Sequence, residues 1–344
     1  LWASVLVETL AQLGLKAAIV CPGSRSSPLT VAFARHPAIE TIPILDERSA
    51  SFFALGMARR LHEPIVLVCT SGTAGANFYP AVIEARESRV PLLVLTADRP
   101  PELRNCNAGQ AIDQQKLFGT YPNFYTEIAL PSLDLSMLAY LRQTMLNAWH
   151  QTMYPISGVV HLNLPFREPL APIEQPEAKR LEESFPENFF NHIEMRSSLI
   201  TQTSSSILES ITNKRGVIIA GVAQPSDPEK YCGAIAALSN ALGMPVLAEA
   251  LSPVRNYAAL NSNLISTYDT ILRNKEIASK LAPEVVIRIG EMPTSKELRL
   301  WLDEMKPMQI LIDPSDRSLD PIHGRTIHLA TSIELINFAA IDRT

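Results

Sequence analysis

Short, unbroken apolar runs recur along the first half of the chain, each followed by small polar or charged residues and then by a helical pattern. The runs are Ala17-Ala18-Ile19-Val20, Ile42-Pro43-Ile44-Leu45, Ile65-Val66-Leu67-Val68, Leu92-Leu93-Val94-Leu95 and Gly158-Val159-Val160-His161-Leu162. Runs of this kind alternating with helices predict a parallel sheet covered on both faces, because neither side of such a strand meets water. Between the fourth and fifth runs, Leu135, Leu138, Leu141, Met145, Ala148 and Trp149 fall on one helical stripe. That stripe predicts a helix packed on the core.

The pattern changes after Phe166. Residues 165–190 are rich in Pro and Glu with weak periodicity, which predicts a linker running over the surface. A second strand–helix series follows, with strands expected at Gly216–Gly221, Pro245–Ala248, Val285–Gly290 and Gln309–Asp313, and a further one at Thr326–Leu329. One intervening helix is expected to end at Gly243, since glycine commonly closes helices. The expected fold class is therefore α/β, with two open parallel-sheet domains over residues 1–172 and 201–344 and a linker over 173–200.

Length agrees with this, since 344 residues can bury two cores. A net charge of −5 with scattered Lys and Arg argues against a nucleic-acid groove. No apolar run is long enough to span a bilayer, and no basic–apolar leader opens the chain. The four cysteines form no C-x-x-C pair, and Cys21 and Cys69 each end an apolar run, a pattern that fits a reducing cytoplasm. The first residue is Leu1 rather than Met, so some N-terminal sequence is expected to be missing.

In an open parallel sheet, ligands gather beyond the carboxyl ends of the strands, where the polar phrases of the first half all fall. Gly23-Ser24-Arg25-Ser26-Ser27-Pro28-Leu29 offers amides, hydroxyls and an arginine fork to a carboxylate or phosphate. Taken alone, it reads more simply as a capped helix start with Arg25 in solvent. Asp46-Glu47-Arg48 opens a helix carrying Phe52, Phe53, Leu55 and Met57. Glu47 is either a carboxylate favoured by the helix dipole or an acid suited to proton exchange with a bound heterocycle. Thr70-Ser71-Gly72-Thr73-Ala74-Gly75-Ala76-Asn77 is built from small side chains that allow close approach of a ligand or of a packed helix. It is not a Walker loop, because no Gly-Lys-Ser/Thr follows at the required spacing. Thr96-Ala97-Asp98-Arg99-Pro100-Pro101 leads into Asn107–Gln114, and its prolines stiffen the exit from a strand. Its bland alternative is an Asp98–Arg99 surface pair of little energetic weight.

In this order, P-G-S-R-S-S-P-L-T, D-E-R-S-A-x-F-x-A-L-G-M-A, T-S-G-T-A-x-A-N and L-T-A-D-R-P-P-E-L followed by Q-A-I resemble one family of thiamine-diphosphate enzymes. It is the 2-succinyl-5-enolpyruvyl-6-hydroxy-3-cyclohexene-1-carboxylate synthases, often called the MenD family. The resemblance is dense over residues 1–170 and looser over 200–344. It implies a pyrimidine-binding α/β domain followed by a Rossmann-like middle domain. It also implies a cytoplasmic transferase of menaquinone or phylloquinone biosynthesis that uses thiamine diphosphate and Mg²⁺. In that reaction 2-oxoglutarate is decarboxylated and the remaining four-carbon unit is added to isochorismate. Glu47 matches the family glutamate that hydrogen-bonds the aminopyrimidine ring, and Thr70, Ser71, Gly72 and Thr73 resemble the segment lying against that ring. Ser24, Arg25, Arg99 and Gln110 match positions that hold the acidic substrates, and Lys296 resembles a basic residue of the middle domain. Two positions depart from the pattern: Gly109 stands where some members have asparagine, and Glu297 where an arginine can follow the lysine.

The superfamily holds the diphosphate and its metal through a Gly-Asp-Gly motif in a third domain, and no aspartate here lies between two glycines. No metal ligand is therefore expected in this chain, which by itself is expected to be an inactive fragment of a homodimeric or homotetrameric enzyme. Two other readings stay open: another thiamine-diphosphate 2-oxoacid enzyme, and a non-catalytic α/β binding module.

Overall fold

The computed structural model describes residues 1–190, 208, 211–315, 319–324 and 326–336. The chain divides into two compact units, residues 1–198 and 199–344.

The first unit contains α1 (Trp2–Gln12), β1 (Ala17–Val20), α2 (Ser27–Arg35), β2 (Glu40–Pro43), α3 (Glu47–Leu61), β3 (Ile65–Cys69), α4 (Tyr79–Glu87) and β4 (Leu92–Asp98). β5 (Phe124–Glu127), α5 (Leu135–Met153), β6 (Val159–Pro165) and α6 (Pro176–Glu183) follow. Its six strands are all parallel in the order β2-β1-β3-β4-β6-β5. Every residue of β1, β3, β4 and β6 is buried, as the unbroken apolar runs require. Successive side chains alternate between two cores. Val66 and Val68 join Leu6, Leu10, Leu138, Leu141 and Met145 on one face, while Ile65, Leu67 and Cys69 join Ala54, Phe78, Val82 and Phe118 on the other. Full burial of one such aliphatic or aromatic side chain contributes about 1.5–3 kcal/mol. The stripe on α5 packs as expected.

Strand β2 begins two residues before the apolar run at 42–45, where Glu40 pairs with Ala17 of β1, and ends at Pro43, short of Leu45, because Asp46 caps α3. The Ser49 N–H donates to Asp46 Oδ2 at 2.7 Å, so Leu45 sits in the turn and is 83% exposed. Strand β5 has no counterpart in the expected runs. Its four residues lie at the sheet edge, all half-buried, and carry no continuous apolar signal. Within the Pro/Glu-rich segment, α6 and the rings of Phe185, Phe189 and Phe190 lie against the first core. Arg142 donates to the Phe189 carbonyl and stands 4.7 Å above its ring.

The second unit contains β7 (Gly216–Ala220), α7 (Pro228–Leu242), β8 (Val246–Ala248), β9 (Leu264–Ile265), α8 (Tyr268–Leu272) and α9 (Lys275–Lys280). β10 (Val285–Ile289), α10 (Lys296–Met305), β11 (Met308–Ile312) and β12 (Thr326–Leu329) complete it. The sheet is again parallel, in the order β12-β11-β10-β7-β8-β9. α7 ends at Gly243, whose φ of 60° closes it in the left-handed conformation. Connections run in opposite directions from β7 and β10, and the chain segments that leave these two strands pass close to each other. A Cβ on Gly221, just after β7, would lie 1.8 Å from the Glu291 carbonyl oxygen. Two six-stranded parallel sheets flanked by helices thus make this an α/β protein, as the runs predict.

Candidate active site

In the first sheet the chain leaves β1 toward one edge and β3 toward the other, so the crevice beyond these two strands is the ligand-prone position. Two loops meet there. A Cβ on Gly23 would stand 2.5 Å from the Thr70 Cβ, so only glycine lets the chain after β1 pass the chain after β3. Ser26 and Ser27 turn their hydroxyls back to the Gly23 carbonyl at 3.0 and 3.4 Å instead of capping α2. Ser24 is exposed.

Arg25 is not in solvent. Only 5% exposed, it donates from Nη1 to the Phe166 carbonyl at 2.8 Å, and its Nη2 lies 3.7 Å from Glu168 Oε1. Burial, and then the nearby Arg99 charge, hold its pKa below the usual arginine value. Its Nε is buried without a partner.

Glu47 occupies the first turn of α3, half-buried behind the Asp46 cap. Its charge is felt by both thiols that end the neighbouring strands. Burial, then Glu47 and Asp46, push the Cys21 thiol up to about 12. Burial, then Cys21 and Glu47, raise Cys69 well above its ordinary value. Glu47 thus acts on the ends of both β1 and β3, with Asp46 beside it acting on β1.

In the turn after β3, Ser71 and Gly72 are buried, Thr70 is half-buried and Thr73 is exposed. Gly72 has φ of 88°, and a Cβ there would meet Gln110 Cγ at 2.9 Å. Gln110 reaches back, donating from Nε2 to the Ser71 carbonyl at 3.0 Å. Arg99 donates to Ser71 Oγ at 2.5 Å from Nη1 and to the Gly109 carbonyl at 2.8 Å from Nη2. Ser71, Arg99 and Gln110, far apart in sequence, form one cluster.

Asp98, next to Arg99, is buried at 1% exposure and accepts the Arg99 N–H at 2.7 Å. Burial raises its pKa, while Arg104 Nη2 lies 3.2 Å from Oδ2. Arg104 also pairs with Glu127 on β5 at 2.8 Å and donates to the Arg99 carbonyl at 3.3 Å. Arg104 and Glu127 escape a reading of the sequence because β5 itself does; the only local signal is the arginine shortly after the prolines.

Lys296 belongs to the second unit. It is the first residue of α10, exposed, after the Ser295 cap that accepts from Leu298 N at 3.1 Å. Glu297 pairs with Lys275 at 3.1 Å. A cavity of about 910 Å³ in the first unit is lined by Trp2, Val31, His36, Leu133 and Phe185 among others, and reaches Phe166 and Glu168, the partners of Arg25, but not Arg25, Glu47 or Arg99. Among the described residues, no group of three or more His, Cys, Asp or Glu could hold a metal, and no helix is long and apolar enough to cross a membrane.

A carboxylate at the switch point, a turn of small residues beside it and two arginines suit a flat heterocycle flanked by anionic groups. Comparison with known proteins agrees. Residues 2–117 match the family described as thiamine pyrophosphate enzyme, N-terminal TPP binding domain, and residues 187–342 match the middle domain of thiamine pyrophosphate. Both parts of the chain thus match domains of thiamine pyrophosphate enzymes, in that order.

Among its relatives is a protein from Trichodesmium erythraeum named 2-succinyl-5-enolpyruvyl-6-hydroxy-3-cyclohexene-1-carboxylate synthase. It is 60% identical over 339 residues, which cover 97% of this chain and 58% of that protein. Proteins of the same name from Gloeothece citriformis and Trichormus variabilis are 62% and 59% identical, over 97% and 99% of this chain and 58% and 59% of their own lengths. The chain thus spans a little under three-fifths of the length of these curated relatives.

Proposed function

We propose that the full-length protein is a thiamine-diphosphate-dependent 2-succinyl-5-enolpyruvyl-6-hydroxy-3-cyclohexene-1-carboxylate synthase. It would join decarboxylated 2-oxoglutarate to isochorismate, in the cytoplasm, on the way to menaquinone or phylloquinone. What supports this reading is the Ser71–Arg99–Gln110 cluster beyond the ends of β3 and β4, with Glu47 acting on the thiols that end β1 and β3. The cofactor, when bound, supplies the electron sink for decarboxylation. Glu47 supplies a hydrogen-bonding carboxylate for a ring nitrogen and governs the proton there. Thr70 to Thr73, with no large side chain, let the ring approach the backbone. Both substrates are dianions, and Arg25 and Arg99 provide fixed planar cations suited to carboxylates. Ser24 and Gln110 add neutral contacts. Lys296 is proposed as a further cation for the same substrates, on the strength of its motif.

Mg²⁺ is proposed to accompany the diphosphate, and a homodimer or homotetramer to be the working form. The decisive experiment is turnover of the purified full-length protein with thiamine diphosphate, Mg²⁺, 2-oxoglutarate and isochorismate, with the product identified by mass spectrometry. The expected product carries the four-carbon unit on the isochorismate ring. Rapid consumption of 2-oxoglutarate or another 2-oxoacid without any such adduct would instead assign the protein to a different thiamine-diphosphate reaction. Light scattering checks the oligomer, and a monomer active at nanomolar concentration would overturn the dimer.

A further inference from the structure

A line of buried polar side chains runs behind the Thr70–Thr73 turn, and each donor along it can be assigned. The Gly72 N–H donates to Gln114 Oε1 at 2.8 Å. Gln114 Nε2 donates to the Ala97 carbonyl at 3.2 Å and to Asn163 Oδ1 at 3.1 Å. Asn163 Nδ2 donates to Asp98 Oδ2 at 2.8 Å and to Glu127 Oε2 at 3.0 Å. Two carboxylates thus fix the Asn163 amide, and its oxygen must face Gln114 and Thr96. The Thr96 hydroxyl gives its single proton to Asn163 Oδ1 at 2.9 Å, so it accepts from His161 Nε2 at 2.8 Å. His161 is therefore the Nε2–H tautomer, its bare Nδ1 lying among the rings of Phe118 and Tyr125 at 4.7 and 5.1 Å between centroids. Reversing either amide would set donor against donor or acceptor against acceptor. Thr96, Gln114, His161 and Asn163 are each no more than 1% exposed, so none of them can touch a ligand in the crevice.

We propose that Gln114 and Asn163 are positioning residues for the cofactor-facing turn and for Arg99. This role rests on the thiamine-diphosphate reading above. Gln114 turns the Gly72 N–H inward and so sets which backbone groups the turn offers to the ring. Asn163 holds Gln114 through its oxygen and Asp98 through its nitrogen, and Asp98 in turn holds the Arg99 N–H. One buried amide thereby couples the turn after β3 to the arginine after β4, although it lies on a third strand, β6.

The test uses the full-length protein with Gln114→Met, which removes all three hydrogen bonds at similar volume, and Gln114→Glu. A protonated Glu side chain can still accept from Gly72 and donate to Asn163. Thr152→Ala, which deletes a buried hydroxyl bonded only within α5, is the control for general loss of stability. For Gln114→Met, hydrogen exchange at the Gly72 amide and the thiamine diphosphate dissociation constant should each rise about tenfold, the effect of one lost buried hydrogen bond. kcat at saturating cofactor should change less. Gln114→Glu should regain affinity as the pH is lowered toward about 6, and Gln114→Met should not. Unchanged Gly72 exchange and unchanged affinity in Gln114→Met would overturn the role, as would an equal loss of affinity in Thr152→Ala. If Gln114→Met does not fold, affinity of Gln114→Glu that ignores pH overturns it. Wild-type protein that binds no thiamine diphosphate would fail the functional reading, and this role with it.

Discussion

The Arg99 guanidinium donates to the Ser71 hydroxyl at 2.5 Å across 28 residues of chain. With the Gly109 carbonyl on its other nitrogen and Asp98 on its backbone N–H, Arg99 is held at three points before any ligand arrives. A cation fixed in advance loses little freedom on binding, so its hydrogen bonds favour affinity more than those of a free surface arginine would.

Replacing Arg99 or Arg25 with Ala in the full-length protein should raise the KM for isochorismate by roughly 10–100-fold, the effect of losing a charged hydrogen bond. Decarboxylation of 2-oxoglutarate alone should suffer less. Arg99→Lys should rescue little, because an ammonium cannot bridge Ser71 and Gly109 as a planar fork does. Steady-state kinetics with each substrate varied checks this, and equal KM values in mutant and wild type would refute the assignment.

Glu47→Gln keeps the size of the side chain and removes its charge. Turnover should fall by roughly 10²–10⁴-fold, as expected for a lost proton-transfer group, with a smaller change in cofactor affinity. Proton exchange at the bound cofactor, followed by NMR, should slow in parallel. The same substitution removes a negative charge near Cys21 and Cys69, so both thiols should ionise somewhat more readily.

Burial lowers His161 to about 3 from its ordinary 6.5. Between these values the unfolded chain binds a proton that the folded protein refuses. The contribution of neutral His161 is therefore complete above about pH 6.5 and is lost progressively as the pH falls toward 3, at up to about 1.4 kcal/mol per pH unit. Thermal unfolding from pH 7 to 4 should show this slope, and His161→Gln should flatten it. An identical slope in the two proteins would mean that other groups set the acid limit.

Of the four cysteines, Cys106 alone is exposed. Burial pushes Cys21 up to about 12 and Cys232 up to about 11, and raises Cys69 well above its ordinary value. Of these four thiols, a reagent at pH 8 should modify Cys106 alone rapidly in the native protein and all four after denaturation, as read by peptide mass spectrometry. Fast modification of Cys21 or Cys69 would show that the strand ends open, and of Cys232 that α7 lifts from its sheet.

Much of this fold was legible because strands buried on both faces announce themselves as unbroken apolar runs, and because site residues cluster just after those runs. Glu47, Arg99 and the Thr70–Thr73 turn could be singled out that way. Strand β5 could not, since an edge strand with four half-buried residues has neither periodicity nor apolarity to mark it. Nor could Asn163, which follows the apolar run 158–162 and carries no local sign that β6 continues through it in the buried core. Its partners Thr96, Asp98, Gln114 and Glu127 lie 36–67 residues away, and only folding brings them together. The burial of Arg25 was hidden for the same reason: its acceptor is the Phe166 carbonyl, 141 residues on.

Gly221 bears on what the second unit could become. The chain after β10 passes so close that the Glu291 oxygen fills the space a side-chain methyl would need. Any other residue at 221 would have to push that peptide bond aside, so these two stretches of backbone can change only together.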